Sequence, residues 1–313
     1  MRTVIVGLGI QGKKRMAVAG ADVVATVDPA IPEAHYDTIE RVPLEVFDRA
    51  LVCTPDEAKD ALLTYLLSHG KHVLVEKPLL ASDPDKLRRL GELARTHHAA
   101  CYTAYNHRFE PHLVRVKELL DIGGIGTVYR ARLFYGNGTA RDVKQSTWRD
   151  RGLGVIPDLG SHLLDLALFL FGQGCAPFEA WSVNRFENQA PDYVLFGSTG
   201  RPSLTCEATL LSWRNTFALD VFGSSGSAHV QGLCKWGPSV FAVRHRVLPS
   251  GKPREEVQTV ECADPTWKLE YEYFDALCQT GGTNLEHDLW IGSALSDIAR
   301  TAEASHHLSV AVT

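Results

Sequence analysis

Asp158, His162 and Asp165 stand at intervals of four and three in GVIPDLGSHLLDLALFLFGQG (154–174), a stretch that is apolar on nearly every side after Pro157. Residues so spaced share one face of a helix, and a helix that is apolar all round is a buried one. Buried ionisable groups are costly unless paired, so the stripe calls for a reason. A carboxylate beside an imidazole fixes its tautomer and stabilises its protonated form, which suits a general base for an alcohol proton. The alternative is a capping Asp158 and a histidine satisfied within a core. A second reactive type stands in VLVEKPL, where Lys77 follows Glu76 and precedes Pro78 at the end of an apolar run. At the C-terminal end of a parallel strand, where open sheets bind ligands, its ammonium can hold a reacting oxygen. A lysine taken alone is more often a surface group.

A third constellation opens the chain. VIVGLGIQGKKR places Gly7, Gly9 and Gly12 in G-x-G-x-x-G, with Ile10 and Gln11 at the start of the helix that follows. The first glycine permits a tight turn, the second lets backbone approach a pyrophosphate, and the third lets helix pack on strand. The helix N-terminus offers its N–H groups to phosphate. Asp28 ends the next strand, 21 residues after Gly7, where an acid hydrogen-bonds a ribose 2′-hydroxyl and repels a 2′-phosphate. NAD is therefore expected in preference to NADP. Lys13, Lys14 and Arg15 read as solvated helix residues.

These residues need a scaffold. Apolar runs at 2–6, 21–28, 49–55, 71–78 and 99–106 read as strands. Helical patterns lie between them, one running through 56–70 and another entered through Asp83-Pro84. Strands alternating with helices predict a doubly wound parallel sheet. Beyond residue 122 the rhythm changes to long β segments at 127–136, 177–186, 192–199, 202–212, 215–222, 227–233 and 239–248. GSSG (223–226) and PSGKP (249–253) are hairpin signals. The expectation is a Rossmann domain over 1–122. An α+β domain over 123–313 follows, built on a large, mainly antiparallel, open-faced sheet covered by helices from 158, 266–279 and 284–305.

The 313 residues carry a net charge of −5 and seven scattered cysteines without a C-x-x-C pair. Such usage fits reduced thiols in a cytoplasm and neither a disulfide framework nor a metal site. Nothing in the charge balance points to nucleic acid or a membrane surface. The run TVIVGLGI is short and broken by glycines, unlike a signal peptide or a membrane span.

The chain closely resembles the Gfo/Idh/MocA family, named for glucose–fructose oxidoreductase and inositol dehydrogenase. The motifs that carry the resemblance are GLGIQG (7–12), CTPDEAK (53–59), GKHVLVEKP (70–78), YNHRFEP (105–111), GGIGTV (123–128), STWRD (146–150) and PDLGSHLLDL (157–166). The resemblance implies hydride transfer between a nicotinamide and a secondary alcohol or ketone of a sugar, cyclitol or sugar derivative. Its catalytic group would be Lys77, Asp158 and His162, with a cis Lys77–Pro78 bond. Thr54, Pro55, Glu76 and Asn106 would line the cofactor, and Tyr105, Trp148 and Arg149 are candidates for the substrate side. Asp165 would be structural, turned toward backbone or a neighbouring helix. Members commonly self-associate through the open sheet face, which implies a homodimer or homotetramer. Two features depart from the family pattern toward the adenosine side: Lys59 where a histidine is frequent, and a short, proline-broken stretch after Asp28. Other functions exist on this scaffold. Some glycosidases use NAD for transient oxidation, and an NAD-binding regulator would need no catalytic group.

Overall fold

The computed structural model describes residues 1–79, 83–146 and 149–310, with side chains through 303. It divides into two compact units, Met1–Asn106 with Thr266–Gly292, and His107–Pro265 with Ser293–Thr313.

The first unit holds β1 (Thr3–Val6), α1 (Ile10–Ala19), β2 (Val23–Val27), β3 (Arg49–Val52), α2 (Asp56–Ser68), β4 (His72–Glu76), α3 (Pro84–Thr96) and β5 (Cys101–Ala104). The strands form a parallel sheet in the order β2-β1-β3-β4-β5. Side chains alternate between the faces of a strand, and both faces are covered. Val4, Val6, Ala50, Val52, Val73 and Val75 share a core with Leu63, Leu66 and Leu67 of α2 and Leu87 and Leu90 of α3. Ile5, Leu51 and Leu74 point the other way. Two-sided burial is why these strands read as continuous apolar runs. Asp83 accepts a hydrogen bond from the Lys86 N–H at 3.1 Å and so caps α3, with Pro84 in its first turn. Between Asp28 and β3 the chain makes only short 3-10 turns, at Ile39–Arg41 and Leu44–Val46.

The second unit begins with α4 (Pro111–Asp121), β6 (Val128–Gly136), α5 (Ala140–Lys144) and α6 (Ser161–Phe171). Seven strands follow: β7 (Glu179–Asn184), β8 (Tyr193–Ser198), β9 (Ser203–Thr209), β10 (Thr216–Gly223), β11 (Gly226–Gln231), β12 (Ser239–His245) and β13 (Arg254–Val260). The eight-stranded sheet runs β13-β12-β11-β10-β6-β9-β8-β7, antiparallel except for the β6–β9 pair. The rhythm of the sequence changes at 122, whereas the contacts divide the chain after Asn106, because α4 packs against α6, β11 and β12. The sequence shows no periodicity for β13: REEVQTV is an edge strand exposed along nearly its whole length, with no buried face to impose alternation.

The chain then returns to the first unit. α7 (Thr266–Thr280) brings Tyr271 and Phe274 onto the Ile5–Leu51–Leu74 face of the parallel sheet. α8 (Leu285–Val310) belongs to the first unit as far as Gly292 and to the second beyond it. Among the described residues no helix is long and apolar enough to cross a membrane.

Candidate active site

In the first unit the strand order reverses at β1, with β2 on one side and β3 on the other. Open α/β sheets bind ligands outside the strand ends at such a switch point. The glycine turn follows β1 and Cys53–Pro55 follows β3, so two of the sequence motifs meet there. Gly7 has φ +90°, and a Cβ on it would lie 2.7 Å from the Cys53 carbonyl oxygen. A Cβ on Gly12 would lie 1.8 Å from the Gly7 oxygen, so neither position admits a side chain. At Gly9 the same space is open. No side chain caps α1, whose first intrahelical bond runs from the Lys13 N–H to the Gly9 oxygen at 3.0 Å. The N–H groups of Ile10, Gln11 and Gly12 are therefore left for an anion. Thr54 Oγ1 is buried without a hydrogen-bond partner among the described residues. An open approach at Gly9, a bare helix N-terminus and an orphaned hydroxyl fit a dinucleotide.

Asp28 does more than the sequence suggested. Its Oδ2 accepts the Leu8 N–H at 2.7 Å and its Oδ1 the Ala30 N–H at 2.8 Å. The acid thus ties the end of β2 to the glycine turn, while each oxygen keeps a further lone pair.

Arg15 is not a solvated helix residue. It is 1% exposed, with Nε on Glu76 Oε1 at 2.7 Å and Nη1 on Glu270 Oε2 at 2.7 Å. Its guanidinium lies 4.3 Å from the Trp267 ring centre. Burial works against this charge, but Glu270 and Glu76 outweigh it and hold the group above its ordinary range. The carboxylate of Glu76, expected beside a cofactor ribose, is thus gripped by α1. Lys59 is buried as well: it donates to Asp56 Oδ1 at 2.6 Å, the Glu76 carbonyl at 2.7 Å and the Pro78 carbonyl at 2.9 Å. Its contacts run to the Glu-Lys-Pro turn, where the sequence reading placed it toward the adenosine side. The Lys77–Pro78 bond is cis. Asn106 Nδ2 donates to Thr266 Oγ1 at 2.9 Å, Tyr105 is fully buried, and Pro55 precedes the first turn of α2.

In the second unit, Asp158 lies in a π-helical turn, Ile156–Gly160, that leads into α6. The four-residue spacing to His162 therefore runs through a wider turn than the α-helix that the spacing presumes. Asp158 Oδ2 accepts from Arg149 Nη2 at 3.1 Å, so Arg149, expected on the substrate side, reaches the carboxylate of the stripe. Asp165 is structural: Arg108 clasps it with Nη2–Oδ1 at 2.6 Å and Nε–Oδ2 at 2.8 Å. Trp148 lies outside the described residues.

His162 sits in an aromatic cup that sequence reading did not find. The His107 ring stacks on it at 4.3 Å and 23°, and Tyr135 of β6 meets it edge-on at 5.8 Å. Trp236 stacks in turn on Tyr135 at 5.6 Å. Burial, with the negative charge of Asp158 second, pushes the Tyr135 phenol well above its ordinary range. The available signal was periodicity: Ala131, Leu133 and Tyr135 alternate as the inward face of β6.

Comparison with known proteins agrees with this architecture. Residues 1–105 match the family described as "Oxidoreductase family, NAD-binding Rossmann fold", and residues 113–229 match the "GFO/IDH/MocA C-terminal domain". An inositol 2-dehydrogenase of Rhizobium meliloti is 25% identical over 245 residues, 71% of this chain and 73% of the relative. Levoglucosan dehydrogenase, solved in complex with NADH, superposes with a TM-score of 0.81 at 17% identity, covering 96% of both chains. UDP-N-acetylglucosamine 3-dehydrogenase from Acidithiobacillus ferrooxidans superposes with a TM-score of 0.80 at 19% identity, covering 97% of this chain and 98% of that one. With an NAD-binding Rossmann unit and the C-terminal domain both matched, the chain belongs to the Gfo/Idh/MocA family of oxidoreductases.

Proposed function

We propose that the protein is an NAD-dependent dehydrogenase that oxidises a secondary hydroxyl of a sugar, cyclitol or sugar derivative, with Lys77, Asp158 and His162 as its reacting groups. The observation that carries the reading is the setting of His162: 9% exposed, with the His107 ring stacked on it and Tyr135 edge-on to it, one turn beyond an Asp158 carboxylate that Arg149 holds. The substrate class is supported by the similar proteins, which are named for inositol, levoglucosan and UDP-N-acetylglucosamine.

In the oxidation, the hydroxyl proton passes to an imidazole nitrogen of His162. Asp158, held by Arg149, favours the protonated ring. The Lys77 ammonium stabilises the alkoxide as it develops. NAD, when bound, supplies the hydride acceptor. The N–H groups of Ile10, Gln11 and Gly12 would hold its pyrophosphate and Asp28 its ribose 2′-hydroxyl, and Thr54, Pro55, Glu76 and Asn106 would line the remainder.

The test is incubation of the purified protein with NAD and a panel of free sugars, inositols and nucleotide sugars, followed at the absorbance of reduced nicotinamide. NADH accumulates with at least one member. Release of free sugar from glycosides without NADH would point to transient oxidation. NAD binding with neither outcome would point to a regulator.

Cofactor choice tests Asp28 separately. Replacing it with alanine removes the negative charge that opposes a 2′-phosphate, and like charges brought together cost several kcal/mol. The ratio of kcat/KM for NADP to that for NAD rises by at least about tenfold, the equivalent of about 1.4 kcal/mol. An unchanged ratio would leave Asp28 only its task of tying β2 to the glycine turn.

A further inference from the structure

We propose that Lys59 is a positioning residue for Lys77, a role that rests on reading Lys77 as the group that holds the reacting oxygen. Lys59 is 2% exposed, and burying an ammonium is costly unless its donors are satisfied. An ammonium has three donors, and Asp56 and the carbonyls of Glu76 and Pro78 take one each, at 2.6, 2.7 and 2.9 Å. Those two carbonyls flank Lys77 on either side. Bound to one nitrogen, they cannot separate, so the Cα of Lys77 is fixed between them. Arg15 holds the Glu76 side chain from the other direction. A surface lysine on α2 would serve solubility as well without any of these contacts. What the burial adds is a fixed origin for the side chain of Lys77. Displacements of about 1 Å in a reacting group can cost on the order of 10²-fold in rate.

The experiment is a double-mutant cycle of Lys59→Met and Lys77→Met, assayed with whichever panel member reduces NAD fastest. Lys59→Met lowers kcat by roughly 10- to 100-fold, with the NAD dissociation constant changed less than about threefold, and costs nothing further in the Lys77→Met background. Lys59→Gln, which keeps an N–H donor, recovers part of the kcat. An equal loss in both backgrounds, or an unchanged kcat in Lys59→Met with Lys77→Met inactive, overturns the positioning role alone. Full activity in Lys77→Met, or no NADH from any panel member, overturns the reading of Lys77 and this role with it. If Lys59→Met does not fold, Lys59→Gln carries the same cycle. A chain that folds with neither makes Lys59 a requirement of the fold and overturns the proposal.

Discussion

His162→Asn lowers turnover by on the order of 10² to 10⁴-fold, the range a positioned general base contributes, and leaves NAD affinity within about threefold. Asparagine keeps polarity and approximate size but accepts no proton at neutral pH, so the hydroxyl proton must leave to water. The His107 ring remains packed against Tyr135 and Trp236, at 5.2 and 6.3 Å between ring centres, which preserves the cup without the base. The glycine turn and Thr54 lie in the other compact unit, so an intact NAD titration controls for that unit and an unchanged melting temperature for the unit that holds His162. Steady-state kcat on the panel substrate, with fluorescence titration of NAD, decides the matter. A loss below about tenfold would remove His162 from the chemistry. A parallel loss of NAD affinity would mean that the substitution disturbs the fold. If the protein is a regulator, there is no turnover to lose and only the titration responds.

What could be read in advance follows from range along the chain. The five parallel strands announce themselves because burial on both faces makes each a short apolar run. The glycine turn is legible because Gly7 and Gly12 answer to steric limits set within a few residues and by the neighbouring Cys53. The structural part of Asp165 follows from the family resemblance and not from its spacing, and its Arg108 partner lies on a turn 57 residues earlier. The misreadings are non-local. Arg15 follows two lysines and looks solvated, yet α7 returns some 250 residues later with Glu270 and Trp267 to bury it. The cup around His162 draws Tyr135 from β6 and Trp236 from a turn before β12, and no spacing rule connects these positions. The spacing of Asp158 to His162 was read with α-helical geometry, and a π turn cannot be seen in a pattern of apolar residues. Lys59 stands in the sequence only as a departure from the family pattern; its reach to the carbonyls around Lys77 depends on where α2 lies against the end of β4.

Arg15→Met tests the most consequential of those misreadings. Methionine keeps the apolar stem but removes the guanidinium that pairs with Glu270, 0% exposed, and with Glu76. Removing one partner of a buried ion pair costs about 3–5 kcal/mol, because a buried charge is left uncompensated. At about 2–4 °C per kcal/mol for domains of ordinary size, the melting temperature falls by roughly 6–20 °C. Lysine does not rescue it, since a single ammonium cannot both donate to Glu76 and pair with Glu270 as the guanidinium does. By the same logic Arg15→Met combined with Glu270→Gln is more stable than Arg15→Met alone, since replacing both partners costs less than orphaning one. Thermal melts of the two variants separate this from a packing effect, which would be indifferent to Glu270. A melting temperature within about 2 °C of the parent would show that the buried ion cluster contributes nothing to the fold. The end of β4, from which Lys77 projects, would then owe its placement to Lys59 without help from α1.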